Sequence, residues 1–281
     1  MRIYEKPVEE IIRLRKSVRT FDSKPIKDED MEKLSSHMKN LDNPFGVQVR
    51  VDFLKEQAGS DGRKLGTYGV IHGCSTYLGV AVMDGPLALE ALGYSFEELI
   101  LYCTELGLGT CWLGGTFRRT SFAEAMGLKS GELFPAVSPI GYPKVRHSLI
   151  DSLVRTVTKG DKRKPWEELF FSDDFENPLK ESKAGVFRLP LELVRLAPSA
   201  SNKQPWRIVK SGDSFHFFEA KTPGYSNLMP YDLQRIDLGI AACHFHLSML
   251  EEGFTGRFSV IEQTLATSIP SLEYVFTWNP S

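Results

Sequence analysis

The sequence has no run of apolar residues long enough to cross a membrane, and its N-terminus, MRIYEKPVEE, lacks the apolar stretch of a signal peptide. Its net charge is only −2, from 34 basic and 36 acidic residues. It therefore lacks the positive excess that nucleic acids and membrane surfaces require of their partners. We expect a soluble, cytoplasmic protein that binds neither of them. A length of 281 residues allows one large or two small domains.

Cysteine motifs and the common catalytic motifs are also missing. The four cysteines are scattered, with no Cys-x-x-Cys pair, which excludes a disulfide framework and gives no zinc signal. No Gly-x-Ser-x-Gly is present, so a hydrolase-type nucleophile is not indicated. His244 and His246 stand two residues apart on a predicted helix and do not share a face. We interpret them as packing or surface residues.

Apolar periodicity and turn residues predict an alternation of helices and strands. The first helix follows Pro7 and ends near Arg15, and a second begins near Asp28. The other predicted helices cover 92–106, 189–197 and 237–253. The predicted strands cover 47–54, 76–83, 135–143, 207–220 and 273–280.

The pattern of the first half recurs in shorter form in the second. Leu92-Gly93 precedes Gly107 by the interval that separates Leu238-Gly239 from Gly253. We predict an internal duplication, with a first half at 1–158, a charged and irregular connection at 159–184 and a second half at 185–281. The alternative is chance similarity between two amphipathic helices.

Three segments have the composition of a ligand site. Basic residues cluster around Ser17 at the predicted end of the first helix, where they could converge on a phosphate or form a solvated basic face. The stretch GLGTCWLGG brings Gly114 and Gly115, which allow close approach of backbone to a flat ligand or simply follow a helix end. The stretch APSASNKQPW (197–206) offers hydroxyls and amides, or a turn with local hydrogen bonds.

Together these segments resemble the nitroreductase family of FMN-dependent oxidoreductases. The resemblance rests on RKSVRTFDSKPI, GYSFEELILYCTELGLGTCWLGG, IGYPKVR and APSASNKQPW. It implies an α+β, nitroreductase-like fold with central, mostly antiparallel sheets flanked by helices. Ordinary members are homodimers with the Pro-Ser loop early in the chain, where this sequence has DNPFGVQ (42–48). The chain therefore resembles two fused subunits: an internally duplicated pseudo-dimer that completes its own flavin site as a monomer, with further dimerisation left open.

The resemblance also implies roles for individual residues. It assigns the FMN phosphate and ribityl end to the basic segments, the N1 and C2 carbonyl edge to Arg19, and N5 and O4 to the glycine loop. Tyr68, with Thr67 or the backbone at Gly69, would replace an Asn and a Lys that the family often has. The implied cofactor-binding residues are Arg15, Lys16, Ser17, Arg19, Tyr68, Leu113, Gly114, Gly115, Lys162, Arg163, Pro198, Ser199, Ala200, Ser201 and Asn202, with Lys164 beside them.

The implied activity is hydride transfer from NADH or NADPH through FMN to a small-molecule acceptor such as a quinone or nitroaromatic. No Gly-x-Gly-x-x-Gly follows a predicted strand, so the nicotinamide cofactor would bind only transiently. One alternative is a flavin-binding or sensory protein without turnover. Another is a protein that keeps the fold and binds no flavin.

Overall fold

The computed structural model describes residues 3–55, 65–144, 162–225, 229–262 and 271–281. The helices of these ranges are α1 Val8–Leu14, α2 Asp28–Lys39, α3 Ala88–Glu105, α4 Arg119–Met126, α5 Arg188–Leu196 and α6 Leu233–Glu251. The strands are β1 Val49–Lys55, β2 Thr76–Met83, β3 Gly109–Thr110, β4 Glu132–Gly141, β5 Phe170–Ser172, β6 Trp206–Ser211, β7 Ser214–Ala220, β8 Gly256–Ser259 and β9 Leu272–Pro280.

Two sheets repeat one topology. The first has the order β1-β2-β4-β3 with antiparallel pairs throughout. The second has the order β5-β6-β7-β9-β8, and only the β5-β6 pair is parallel. If β5 is left aside, the order β6-β7-β9-β8 of the second sheet repeats the order β1-β2-β4-β3 of the first. The predicted α+β class with mostly antiparallel sheets is confirmed, and so is the duplication.

The two long helices, α3 and α6, pack directly against each other and each also contacts its own sheet, at β2 and β7. A Cβ atom at Gly93 would lie 2.2 Å from the carbonyl oxygen of Ile236, and one at Gly239 would lie 2.0 Å from that of Glu90. Because each glycine meets the residue three positions before the other, the contact is reciprocal. Only glycine permits backbones to approach this closely. The recurring Leu-Gly pair therefore marks the contact between the halves.

Both helices also end in the same way. Gly107 and Gly253 have φ of +74° and +86°, the left-handed conformation that commonly terminates a helix. The next residue then bonds back into the last turn in each case, Leu108 N–H to the Cys103 carbonyl and Phe254 N–H to the Met249 carbonyl, both at 2.8 Å.

Two sequence predictions of local structure were wrong. The predicted strand 207–220 is a hairpin of β6 and β7, turned at Gly212, whose φ of +56° suits a tight hairpin turn. The predicted irregular connection contains β5, which pairs with β6. The end of the first half at 158 lies outside the described residues, so the proposed boundaries stay predictions. No helix of the described ranges is long and apolar enough to cross a membrane.

Candidate functional site

The basic N-terminal segment leaves α1 as extended chain and joins the edge of the first sheet. Ser17 forms an isolated parallel bridge with Thr110 of β3, and Val18 N–H donates to the Thr110 carbonyl at 2.8 Å. Further along, the Arg19 carbonyl accepts from His72 N–H at 2.8 Å. This backbone pairing fixes where each side chain of the segment points, because side chains alternate along extended chain.

The cations of this segment are not equivalent. The Arg15 side chain is only 8% exposed, and its Nε lies 3.8 Å from Glu97 Oε1. Lys16 is exposed, whereas Ser17 and Arg19 are half-buried. Arg13 is exposed and pairs with Glu9 one turn back on α1. Arg15 is therefore the cation that the fold brings inward, next to a carboxylate of α3.

The glycine loop follows β3 and is held from behind. Leu113 forms an isolated bridge with Val137 of β4, and the Gly114 carbonyl accepts from Arg119 Nη2 at 2.6 Å. A Cβ at Gly114 would meet only the Leu233 side chain, at 3.6 Å, and one at Gly115 would meet no atom within 4 Å. The loop thus presents backbone to open space on the side of the first turn of α6.

The loop of the second half, 198–202, is held by α6 in a strained conformation. Ala200 N–H donates to Asp237 Oδ1 at 3.0 Å. Ser201 and Asn202 have positive φ of 49° and 54°, which non-glycine residues rarely adopt. Ser199 Oγ accepts from the N–H of Gln204 at 2.8 Å, and Ser201 Oγ accepts from a tyrosine, Tyr225. Such strain, held by surrounding contacts, is typical of ligand loops. Pro198 precedes these residues and is half-buried.

Asp237 has no partner for its second oxygen among the described residues, and the side chain is buried. Burial raises the pKa of this carboxyl well above its usual range, against the opposing hydrogen bond from Ala200 N–H. The neutral acid is the form that burial favours.

The basic segment that follows the first half docks on the same loop. Arg163 Nη1 donates to Asn202 Oδ1 at 3.1 Å, and its Nη2 donates to the Leu196 carbonyl at the end of α5, also at 3.1 Å. Asn202 Nδ2 returns a bond to the Lys162 carbonyl at 2.8 Å, and Lys164 N–H donates to Gln204 Oε1 at 2.8 Å. The structure therefore brings Lys162 and Arg163 together with Asn202.

One face of α6 supports the glycine loop and the 198–202 loop, and it is linked to Arg15 through Glu97 of α3. Leu233 lies next to Gly114, Asp237 holds Ala200, and His244 Nε2 lies 3.0 Å from Glu97 Oε1, the carboxylate that faces Arg15. The three helix positions are four and seven residues apart, which places them on one side of the helix. The glycine loop and the 198–202 loop, which are distant in sequence, thus both lie against α6, and the Arg15 segment is joined to the same face of that helix through Glu97 of α3.

Tyr68 is less closely tied to this group. Its ring is 68% exposed and its φ is +48°, within a turn closed by Val70 N–H to the Thr67 carbonyl at 2.9 Å. The turn is anchored through Gly66, whose carbonyl accepts from Arg118 N–H at 2.8 Å. Thr67 is buried, so Tyr68 rather than Thr67 is free to meet a ligand.

Sequence reasoning missed Glu97, Trp112, Arg119 and His244. His244 was interpreted as a packing or surface residue, yet it is fully buried and contacts Glu97. The available signal was that α3 has glutamates on a helix whose residues are mostly apolar, because a buried carboxylate without a partner is costly. The partners of Glu97 could not be found from sequence, since His244 lies 147 residues away. No cluster of metal-ligating side chains occurs in the described part of the chain.

Comparison with known proteins defines the class. A family model described as "Putative TM nitroreductase" matches residues 7–249, so the chain belongs to this nitroreductase family. A crystal structure from Thermotoga maritima, described as a "putative nitroreductase", is 19% identical with a TM-score of 0.58, and the match covers 98% of this chain and 94% of that one. At this identity, the likeness shows the fold alone.

Shorter relatives match about half of the chain. A nitroreductase family protein from Clostridium difficile 630 is 20% identical with a TM-score of 0.44, over 58% of this chain and 95% of that one. A nitroreductase with bound FMN from Bacteroides fragilis is 16% identical with a TM-score of 0.41, over 51% and 92%. A search of curated proteins gave no match.

Proposed function

We propose that this protein is an FMN-dependent oxidoreductase of nitroreductase type, which takes hydride from NADH or NADPH and passes it to a quinone, a nitroaromatic or a similar acceptor. The observation that carries the proposal is that the glycine loop and the 198–202 loop lie against one face of α6, to which the Arg15 segment is joined through Glu97 of α3. Family membership adds to it.

The described residues fit an anionic, flat group. Arg15 Nε is buried and has no hydrogen-bond partner among the residues that the structure describes, although Glu97 lies within ion-pair range. Ser17 stands two residues on, and Gly115 borders open space. Buried, partly unsatisfied cations next to a hydroxyl suit a phosphate, and backbone without a Cβ suits a planar ring. We infer that Arg15, Lys16, Ser17, Lys162 and Arg163 hold the phosphate end.

The remaining residues orient the ring. FMN, when bound, supplies a hydride acceptor and donor, so the protein needs no acid or base of its own. Gly114 and Gly115 supply backbone N–H groups at one edge of the ring beside Leu113, and Arg19 supplies a cation that stabilises negative charge. Pro198, Ser199, Ala200, Ser201 and Asn202 come from the second half, and Tyr68 covers the exposed side.

The test is the absorbance spectrum of the purified protein, with the released cofactor identified by mass. We expect a yellow protein that NADH or NADPH bleaches in the absence of oxygen and that menadione restores. A yellow protein that neither nucleotide bleaches would replace this proposal with a flavin-binding or sensory role. A colourless protein that stays colourless with added FMN would remove the flavin altogether. The cytoplasmic location and the monomeric state remain part of the proposal.

A further inference from the structure

Glu97 and His244 form a buried contact between the two halves, and both side chains have no exposed surface. Trp112 Nε1 donates to Glu97 Oε2 at 2.6 Å, and His244 Nε2 lies 3.0 Å from Oε1. Arg15 Nε lies 3.8 Å from the same Oε1. A simple ion pair between Glu97 and Arg15 would cancel the charge that the proposed phosphate site needs.

The hydrogen-bond geometry decides where the protons are. His244 Nδ1 lies 2.9 Å from the Leu193 carbonyl oxygen, which can only accept, so Nδ1 carries a hydrogen. Nε2 then faces a carboxyl oxygen. Either Nε2 also carries a hydrogen and donates it, or Oε1 carries one and Nε2 accepts it. A neutral imidazole opposite an ionised carboxylate would place two acceptors against each other at 3.0 Å.

Both permitted states contain the same number of protons. An imidazolium with a carboxylate and a neutral imidazole with a carboxylic acid each have zero net charge. Adding Arg15 makes the three-residue group +1 in either case. Glu98, the next residue of α3, lies outside this three-residue group, because its side chain faces His37, with Nε2 to Oε1 at 3.0 Å.

We propose that Glu97 and His244 share one proton as a net-neutral pair that positions Arg15 between the halves without cancelling its charge, which is thereby kept for the anionic end of the cofactor. Glu97 and His244 are positioning residues, since neither is placed against the cofactor itself. The part of this inference that concerns the cofactor rests on the proposed function, whereas the shared proton does not.

The proton is tested directly on the wild-type protein. Nitrogen NMR of protein labelled with 15N-histidine reports which ring nitrogens carry hydrogen, and His244→Gln assigns the signal. Infrared spectra of wild type and Glu97→Gln report the state of the carboxyl group. We expect Nδ1–H with either a protonated Nε2 or a protonated carboxyl. A neutral ring with its hydrogen on Nε2, or a neutral ring beside an ionised Glu97, would overturn the proposal.

The charge is tested by affinity for FMN and for riboflavin, which lacks the phosphate. Glu97→Gln leaves the group at +1, so its FMN affinity should stay within about threefold of wild type. His244→Gln leaves Glu97 ionised and the group neutral, so FMN should bind about tenfold more weakly while riboflavin changes much less. The double variant returns the group to +1 and should restore FMN affinity.

Three outcomes contradict this scheme. Tighter FMN binding by Glu97→Gln would mean that Glu97 does cancel the Arg15 charge. Equal losses for FMN and riboflavin in His244→Gln, or a double variant as weak as that single one, would mean a purely structural role. If His244→Gln does not fold, the wild-type spectra and Glu97→Gln still decide. If wild type binds neither flavin, the proposed function fails while the spectra still judge the proton.

Discussion

Helices α3 and α6 correspond to each other at a shift of 146 residues. The sheets that they contact share the same order of strands, apart from the additional β5 in the second sheet. The loops around the helices, in contrast, differ between the halves. The first half contributes Arg15 and the glycine loop to the candidate site, and the second contributes the 198–202 loop. The repeated parts are those that build the contact between the halves, and the divergent parts are those proposed to bind. Scaffold and site have therefore changed independently.

The loops before β1 and β6 show the contrast most clearly. In the first half, Phe45 turns inward, with ring centroids 5.2 Å from Phe258 and Phe276 and 6.2 Å from Tyr94. Asn43 bonds to the Val47 carbonyl within the same loop, at 2.7 Å. In the second half, the corresponding loop holds Ser201 and Asn202 in strained conformations. The loop of the first half packs an aromatic ring into the core, whereas the loop of the second half presents polar groups.

The connections from strand to long helix differ as well. Residues 84–87 join β2 to α3, whereas 221–232 join β7 to α6. The longer connection carries Tyr225, which donates to Ser201 Oγ at 2.9 Å, and Tyr231, whose ring lies 5.6 Å from the Arg119 guanidinium carbon. Arg119 in turn holds the Gly114 carbonyl. The insertion thus links both loops of the candidate site, and only the second half has it.

The largest test of this asymmetry is the number of flavin sites. Because Arg15 and Arg19 lie in the first half, the polar 198–202 loop lies in the second, and Phe45 lies where the first half would need such a loop, we expect one FMN per chain. Titration with detection of flavin fluorescence, alongside mass determination in solution, should saturate near one equivalent. Saturation at two equivalents of FMN per chain would show that the two halves do not differ in flavin binding.

A control separates a site within one chain from a site shared between chains. Arg15→Ala and Asn202→Ala each damage a different half. If chains exchanged halves, mixing the two variants would restore part of the flavin binding. We expect no restoration on mixing.

The reciprocal glycine contact should make the halves equally sensitive. Gly93→Ala and Gly239→Ala each place a Cβ against backbone, so each should lower the free energy of unfolding by about 3 kcal/mol. The double variant should cost less than the sum, since one separation of the helices relieves both clashes. Urea unfolding measures this. Gly85→Ala is the control, because its Cβ would meet nothing within 4 Å. Unequal losses in the two variants would show that the contact is not symmetric in energy.

The basic segment should bind flavin without stabilising the fold. Arg15→Ala and Ser17→Ala should each weaken FMN binding roughly tenfold or more, because a charge-assisted hydrogen bond contributes about 1.5–3 kcal/mol. Asn202→Ala should lower affinity from the other half. The control is Arg13→Ala, since Arg13 is exposed and paired on its own helix. A lower melting temperature of flavin-free Arg15→Ala, with flavin affinity unchanged, would assign a structural role instead.

The smallest expected effect is a pH dependence confined to the second half. Glu219 is fully buried near the end of β7. The strand of the first half that corresponds to β7 is β2, and it ends in the apolar residues Val82 and Met83. Burial and the Asp232 carboxylate raise the pKa of Glu219 to about 8, against the attraction of Arg235. The folded protein then holds a proton that the unfolded chain releases above its ordinary carboxyl pKa. Stability therefore falls as pH rises from 5 to 8.

Glu219→Gln should remove most of that fall, measured by urea unfolding at pH 5 and pH 8. The control is Glu273→Gln. Although burial raises the pKa of Glu273, Lys221 and Arg235 lower it below its usual value overall, so this group is ionised in both states across the window. Its variant should keep the wild-type pH dependence. A Glu219→Gln protein with an unchanged fall would refute the assignment.

The sequence predicted the scaffold better than the site. Long amphipathic helices and their terminal glycines follow local rules, so α3, α6 and the recurrence between them could be identified from spacing. The strand β5 could not, because it is three residues long within a charged segment and forms only by pairing with β6. The contact of Glu97 with His244 was equally hidden, since nothing local to either residue indicates the other. The contacts of Phe45 with Phe258 and Phe276 were hidden too, because they join residues that are distant in sequence.

The placement of both long helices on one chain changes how their contact responds to dilution. In two separate subunits, a contact such as that between Gly93 and Gly239 forms at a rate and to an extent that depend on protein concentration. Here the connection sets a fixed effective concentration, so the halves meet equally well in dilute and in crowded solution. Covalent linkage also lets each copy mutate alone. Position 97 of α3 is a glutamate whereas the corresponding position of α6 is Cys243, a difference that two identical subunits can never have.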